Sequence, residues 1–284
     1  MLDAKLLQDV WQDLENPDKP KFETGFKYLD SLLGIYEGSG ALITVGARPA
    51  MGKTTFIFTI IENLMKINKK TLLISLEISD TMAVKKLLFQ RAEVGLYKQY
   101  MDIIQAKDWQ NLGTSIEKME HWNLDICDDS NMNIEQIEEK IKKVKPEVVF
   151  IDYFQLIQTN IKKDRYSQIE NICINLKRIA KETGVIIIVT SQLSRAVETR
   201  FNKRPMLSDL RESGAIENIS DVVIFLYREE YYSYREEEED NLRPKGETEV
   251  IIAKNKFGSC GVVHITFKAN IPKFYDRSDD FDVL

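Results

Sequence analysis

Histidine and cysteine are scarce in this chain of 284 residues, with two of the first and three of the second. Cys127, Cys173 and Cys260 are far apart and odd in number, which argues against a disulfide framework and for a reducing, cytoplasmic setting. With only His121 and His264 to offer imidazole, a zinc site is not expected. No apolar run is long enough to span a bilayer, and the N-terminus lacks the basic-then-apolar pattern of a secretory signal. No Pro/Gly/Ser-rich linker divides the sequence, and no internal repeat is visible. A hydrophobic fraction of 43% with 30% charged residues therefore reads as one globular unit. The formal net charge of −6 does not suggest a nucleic-acid binder by itself, although basic residues can still gather on particular loops.

The most informative stretch is Gly46-Ala47-Arg48-Pro49-Ala50-Met51-Gly52-Lys53-Thr54, followed by Thr55. An apolar, β-branched run (41–45) precedes it, and an uninterrupted helical pattern (53–67) follows. A loop in that position can wrap backbone N–H groups around phosphate oxygens at a helix N-terminus. Lys53 would reach the β/γ-phosphates and Thr54 would bind Mg²⁺. The usual glycine four residues before Gly-Lys is Ala47 here, with Gly46 just ahead of it; alanine still permits close backbone approach.

Strands are expected at 41–45, 71–76, 123–127, 147–152, 185–190, 221–227, 248–254 and 261–267, with helices at 53–67, 80–93, 107–120, 134–144 and 168–182. Such alternation implies βαβ units, hence an α/β fold with a mostly parallel sheet covered by helices on both faces. The last two strands are too close for a crossover helix and should form an antiparallel hairpin at the sheet edge. Leu6, Leu7, Val10, Trp11 and Leu14 predict a short leading helix over 3–14, tethered by Asn16 to Pro20. It must pack on its own domain or on a neighbouring subunit. The acidic run Glu236 to Asp240 reads as a solvated loop.

Several apolar strands end in polar groups, where an open α/β sheet presents its ligand crevice. Asp152 can hold Mg²⁺ through its water shell. Glu77 can activate the attacking water or merely start a helix. Gln192 can sense a γ-phosphate or act as a polar cap. Arg195, Arg200, Lys203, Arg204 and Arg211 follow Gln192, and Lys162, Lys163 and Arg165 follow Asp152; both stretches could meet nucleic-acid phosphates or be ordinary solvated loops. Lys254 and Lys256 share a strand face, where they could enter a neighbour's phosphate site or guard a sheet edge.

These motifs occur in an order that resembles the C-terminal ATPase domain of DnaB-type replicative helicases, a hexameric RecA-like motor class. Ala47 to Thr54, Ser75-Leu76-Glu77, Ile151 to Leu156 and Ser191-Gln192-Leu193 match in turn. The most specific match is Ser208-Asp209-Leu210-Arg211-Glu212-Ser213-Gly214-Ala215-Ile216-Glu217, followed by Asp221 to Ile224. The resemblance runs from Thr24 nearly to the C-terminus. It implies a RecA-like P-loop NTPase domain over 21–284, preceded by a linker helix and tether over 1–20 that docks on the adjacent subunit. It also implies a homo-hexameric ring with ATP and Mg²⁺ between subunits, moving 5′ to 3′ on single-stranded DNA held by Arg211, Glu212 and Gly214, with help from the 160–168 loop. A loader and a primase are the expected partners. One departure stands out: Lys254-Asn255-Lys256-Phe257-Gly258 occupies the place of the family's Lys-x-Arg-Asn-Gly, so Lys256 replaces the finger arginine. The resemblance does not extend to the family's N-terminal collar domain, which leaves a truncated piece and a naturally short relative both open. A recombination-type RecA-fold ATPase and an ATP-gated DNA-binding module with little turnover are the alternatives to a helicase.

Overall fold

The computed structural model describes residues 7, 8, 11, 21–161, 164–210, 214–236 and 246–277. Among these residues nine strands form one sheet: β1 (Leu42–Ala47), β2 (Thr71–Ser75), β3 (Leu124–Cys127), β4 (Val148–Asp152), β5 (Ile186–Gln192), β6 (Val222–Tyr227), β7 (Glu247–Asn255), β8 (Gly261–Lys268) and β9 (Lys273–Asp276). Their order is β3-β2-β4-β5-β1-β6-β7-β8-β9. The first six strands run parallel, and β7 to β9 add antiparallel pairings.

Alternation along the strands sorts the core into two layers, because successive side chains of a strand point to opposite faces. Leu73, Phe150, Ile186 and Ile188 face one layer, where Phe56, Ile57, Ile60, Ile61 and Leu64 of the Lys53–Lys66 helix pack with Leu29 and Leu33. Leu72, Ile74, Val149, Ile151, Ile187 and Val189 face the other, against Ile137 and Ile141 of the Ile134–Val144 helix and Ile172, Leu176 and Ile179 of the Arg165–Thr183 helix. The central strands β1, β2, β4 and β6 are buried throughout, which is why they read as continuous apolar runs rather than alternating ones.

The five expected helices occur as Lys53–Lys66, Asp80–Arg91, Ala106–Met119, Ile134–Val144 and Arg165–Thr183. The last begins earlier than its apolar pattern, because Asp164 accepts the Ser167 N–H at 3.0 Å and caps the helix there. The short helices Lys27–Leu33, Tyr97–Tyr100, Gly214–Ile219 and Glu229–Glu236 were not apparent in the sequence pattern. The expected antiparallel hairpin forms, one strand in from the sheet edge. β7 and β8 do pair antiparallel, but β7 also pairs antiparallel with β6, and β9 takes the edge beyond β8. β9 has only four residues, too few for a period to show.

Of the expected leading helix, Leu7, Gln8 and Trp11 are described and are helical, with Leu7 and Trp11 more than half exposed. Glu236 of the acidic run ends a helix; Glu237 to Asp240 lie outside the described residues. Among the described residues no helix is long and apolar enough to cross a membrane.

Candidate nucleotide-binding site

Register brings the chemistry to one end of the sheet. Ala47, the last residue of β1, pairs with Gln192 at the end of β5, and Ser75 at the end of β2 pairs with Asp152 at the end of β4. Beyond these ends lies a cleft of about 290 Å³ lined by Pro49, Ala50, Gly52, Lys53, Thr54, Thr55, Glu77, Tyr153 and Gln192. Gly52 opens the Lys53–Lys66 helix at φ 96°, a left-handed conformation that glycine adopts without strain. Among the described residues no side chain caps this helix start, so its first N–H groups face the cleft with the positive end of the helix dipole. Ala47 has no positive φ, so the usual glycine is not required there.

Asp152 is buried, and both of its oxygens are engaged. Thr54 Oγ1 donates to Oδ2 at 2.7 Å, and the Thr190 hydroxyl donates to Oδ1. A hydroxyl beside a carboxylate is an all-oxygen donor pair of the kind Mg²⁺ takes. Among the described residues no group of three His, Cys, Asp or Glu side chains gathers, so a cation at Thr54 and Asp152 would keep water or phosphate oxygens as its remaining ligands. Lys53 Nζ donates to the Ala47 carbonyl at 3.3 Å. Burial lowers its pKa, Asp152 and Glu77 oppose that shift, and Arg48 adds to it. The Tyr153 phenol is pushed up by burial first, then by the charges of Glu77 and Asp152.

Three residues of the phosphate loop stand behind the cleft. Ala47 and Met51 are buried in the core. Arg48 turns away: Nη1 donates to the Leu193 carbonyl at 2.7 Å, while Nε and Nη2 reach Glu198 Oε1 at 3.1 and 3.0 Å. Its guanidinium therefore braces the loop against the segment after β5. Tyr153, Thr190 and Glu198 were missed by sequence reasoning. Tyr153 could have been found from its place directly after Asp152.

Lys254 and Lys256 lie far from this cleft. Lys254 pairs with Val223, near the start of β6, whereas the phosphate loop lies past the other end of the parallel strands. The six residues of β6 at about 3.3 Å each put roughly 20 Å between the two ends. Lys254 Nζ donates to the Asn218 carbonyl at 3.0 Å and to that of Glu217, at the end of the Gly214–Ile219 helix. Burial and the charge of Lys256 lower its pKa. Lys256 Nζ binds Asp221 Oδ1 at 3.0 Å. β7 is flanked on both sides, so these lysines do not guard a sheet edge.

The basic stretch after Gln192 needs partial correction. Arg200 is bidentate on Asp209, at 2.9 and 2.6 Å, and Arg204 is bidentate on Glu249, at 2.8 and 2.7 Å. Lys203 lies over the Tyr232 ring at 5.2 Å. Arg200 folds the segment back on itself, since Asp209 lies in the same stretch, while Lys203 and Arg204 fasten it to the body of the domain through Tyr232 and Glu249. Arg195 is exposed. Arg165 starts its helix, and Gly214 packs close to the hydroxyl of the next residue, Tyr166, so the two segments expected to hold DNA meet there. Lys162, Lys163, Arg211 and Glu212 lie outside the described residues.

The family model of the DnaB-like helicase C terminal domain matches residues 22–276. The chain belongs to this family. It is similar to a probable replicative DNA helicase of Trieres chinensis, with 37% identity over 96% of this chain and 61% of that protein. It is also similar to the replicative DNA helicase DnaB of Geobacillus stearothermophilus, with 35% identity over 91% of this chain and 57% of the relative. The chain thus spans about three fifths of the length of these relatives. Among solved structures, the ATPase domain of G40P superposes with a TM-score of 0.88 at 33% identity, covering 97% of this chain and 99% of that one. A DnaB-like replicative helicase, described with its interactions with primase, superposes with a TM-score of 0.87 at 32% identity over 97% of this chain and 67% of the other. The domain combines a RecA-like sheet with its phosphate loop at one end and Lys254 and Lys256 at the other.

Proposed function

We propose that this chain is the motor domain of a ring-shaped, ATP-driven replicative DNA helicase that moves 5′ to 3′ on single-stranded DNA. The observation that carries this reading is the convergence of Lys53, Thr54, Asp152, Glu77 and Gln192 at one end of the sheet in a chain of this family. Lys53 and the helix N–H groups hold the phosphates. Thr54 and Asp152 hold Mg²⁺, which when bound neutralises charge developing on the phosphoryl oxygens. Glu77, exposed at the rim, takes the proton of the attacking water. Gln192 hydrogen-bonds the γ-phosphate and registers its loss.

Lys254 and Lys256, roughly 20 Å from their own phosphate loop, serve the site of the neighbouring subunit in a homo-hexamer. DNA phosphates meet the surface where Tyr166, next to Arg165, approaches Gly214, with Lys162, Lys163, Arg211 and Glu212 belonging to the same segments. The leading helix presents Leu7 and Trp11 to the adjacent subunit. Primase and a loader are its partners, and the cytoplasm is its setting; the primase proposal takes its support from the related helicase structure described with primase.

The test is strand separation on forked DNA carrying a 5′ or a 3′ tail, alongside ATPase turnover with and without single-stranded DNA. Unwinding that needs the 5′ tail, with DNA-stimulated turnover abolished in a folded Lys53→Ala variant, is the expected result. Robust stimulated turnover without unwinding would favour a recombination-type ATPase. DNA binding gated by ATP with almost no turnover would favour a binding module, a reading that gains from lysine standing at position 256 instead of arginine.

A further inference from the structure

Gln192 is held from two sides, and only one of them is the phosphate loop. On that side Arg48 Nη1 donates to the carbonyl of Leu193, the next residue, at 2.7 Å. On the other side stands Gln155, in the single 3-10 turn Phe154–Leu156 that follows β4. Its Nε2 donates to Ser191 Oγ at 2.9 Å and reaches the Gln192 carbonyl at 3.5 Å, while the Gln192 N–H reaches Gln155 Oε1 at 3.5 Å. The amide thus brackets the strand end through one firm bond and two long ones.

The backbone of the same residue faces the other way. The Gln155 carbonyl accepts from Arg165 Nη2 at 2.6 Å, a short, charge-assisted bond. Arg165 Nη1 donates to Gln168 Oε1 at 3.2 Å, and Gln168 Nε2 donates to the Ile161 carbonyl at 3.1 Å. One short turn therefore connects the residue at the γ-phosphate end of the cleft to the first residue of the Arg165–Thr183 helix.

Resting on the motor reading, we infer that Gln155 is a positioning residue that couples nucleotide at Gln192 to DNA at Arg165. When Gln192 moves toward a γ-phosphate, the long contacts to Gln155 tighten or break, and the 3-10 turn shifts with its carbonyl. The bond to Arg165 passes that shift to the helix start. Such coupling is reciprocal: an ATP analogue changes DNA affinity by the same factor as DNA changes analogue affinity.

The test uses the full chain, a fluorescent oligo-dT and a non-hydrolysable ATP analogue. DNA affinity is measured with and without analogue, and analogue affinity with and without DNA. The wild type should show a coupling factor of about five or more. Gln155→Ala should bring that factor close to one, with each ligand's affinity in the absence of the other kept within about twofold. Ser191→Ala deletes the firm bond from the opposite partner, so it should act in the same direction, and the double variant should lose no more than Gln155→Ala. Gln155→Glu should keep most of the coupling, since the Ser191 hydroxyl can donate to the carboxylate. If Gln155→Ala does not melt cooperatively, Ser191→Ala decides. A coupling factor that survives in folded variants of both positions overturns the role of Gln155 alone. A wild type whose DNA affinity ignores the analogue overturns the motor reading and this inference together.

Discussion

Lys256→Ala separates a lysine that supports its own fold from one that works on a neighbour's ATP. Lys256 is 47% exposed, and among the described residues its side chain bonds Asp221 at 3.0 Å and no other. Asp221 keeps two other partners, Lys177 Nζ at 2.6 Å and the Leu42 N–H at 2.9 Å. Burial pushes its carboxyl up, but Lys177, Leu42 and Lys256 outweigh that and hold it below the ordinary value. Removing Lys256 therefore breaks one exposed ion pair, worth about 0.2–1 kcal/mol. The melting temperature should fall by no more than about 4 °C.

If Lys256 reaches a neighbour's γ-phosphate, the loss of a charged donor at the transition state is comparable to losing one oxyanion donor, about 10²–10³ in rate. That is about 2.7–4 kcal/mol, too much for the stability change to explain. The assay is steady-state ATPase across the assembly range with calorimetry on the same samples. Turnover per chain should rise with wild-type concentration, and Lys256→Arg should match or exceed wild type, because guanidinium offers a planar fork to phosphate. Mixing Lys256→Ala with Glu77→Gln chains should recover part of the activity. Turnover independent of concentration with no recovery on mixing would refute the shared site and leave Lys256 as the outermost partner of Asp221.

Glu77→Gln should bind ATP with near wild-type affinity yet turn it over about 10²–10⁴-fold more slowly, read by nucleotide binding and single-turnover hydrolysis. Lys273→Ala should destabilise by about 2–4 kcal/mol in denaturant titration: it strips buried Glu62 of its 3.0 Å partner and leaves Lys66 and Arg91 at 3.8 and 3.7 Å, and Lys273→Met should fare no better. For Glu138, Arg178 first and Lys142 second hold the carboxyl at about 2 against an ordinary 4.5. A depressed carboxylate stabilises above its unfolded pKa and stops doing so as pH falls through the folded one. Glu138→Gln should thus melt lower than wild type by about 1 kcal/mol at neutral pH, with the gap closing as pH drops from about 4.5 toward 2.

The legible parts of this molecule share one property: their chemistry is local in sequence. The phosphate loop announces itself because strand, glycine, lysine and helix start are contiguous. Asp152 and Gln192 are legible because each ends an apolar run, and parallel register then aligns those ends without further information. Non-local pairing stays hidden. Arg48 looks like a phosphate ligand until Glu198, 150 residues away, is seen to hold it. Arg204 looks like part of a basic DNA-binding loop until Glu249 of β7 folds against it. β9 escaped notice because its pairing with β8, rather than its own pattern, makes it a strand. The position of Lys256 opposite its own cleft follows from topology alone and could not be read from spacing.

β9 also sets a schedule. Phe274 stands edge-on to Phe56 of the phosphate-loop helix, its ring lies 3.0 Å from where a Gly52 Cβ would be, and Lys273 closes on Glu62 from the same helix. The wall behind the phosphate loop is thus made from a segment that leaves the ribosome much later than the loop itself. A nascent chain exposes residues 46–55 early, but the helix that follows them has no finished packing until residues 273–276 arrive. Tight ATP binding should therefore appear only once β9 has been made, so a chain stalled before β9 would contain the whole phosphate-loop motif yet hold nucleotide poorly.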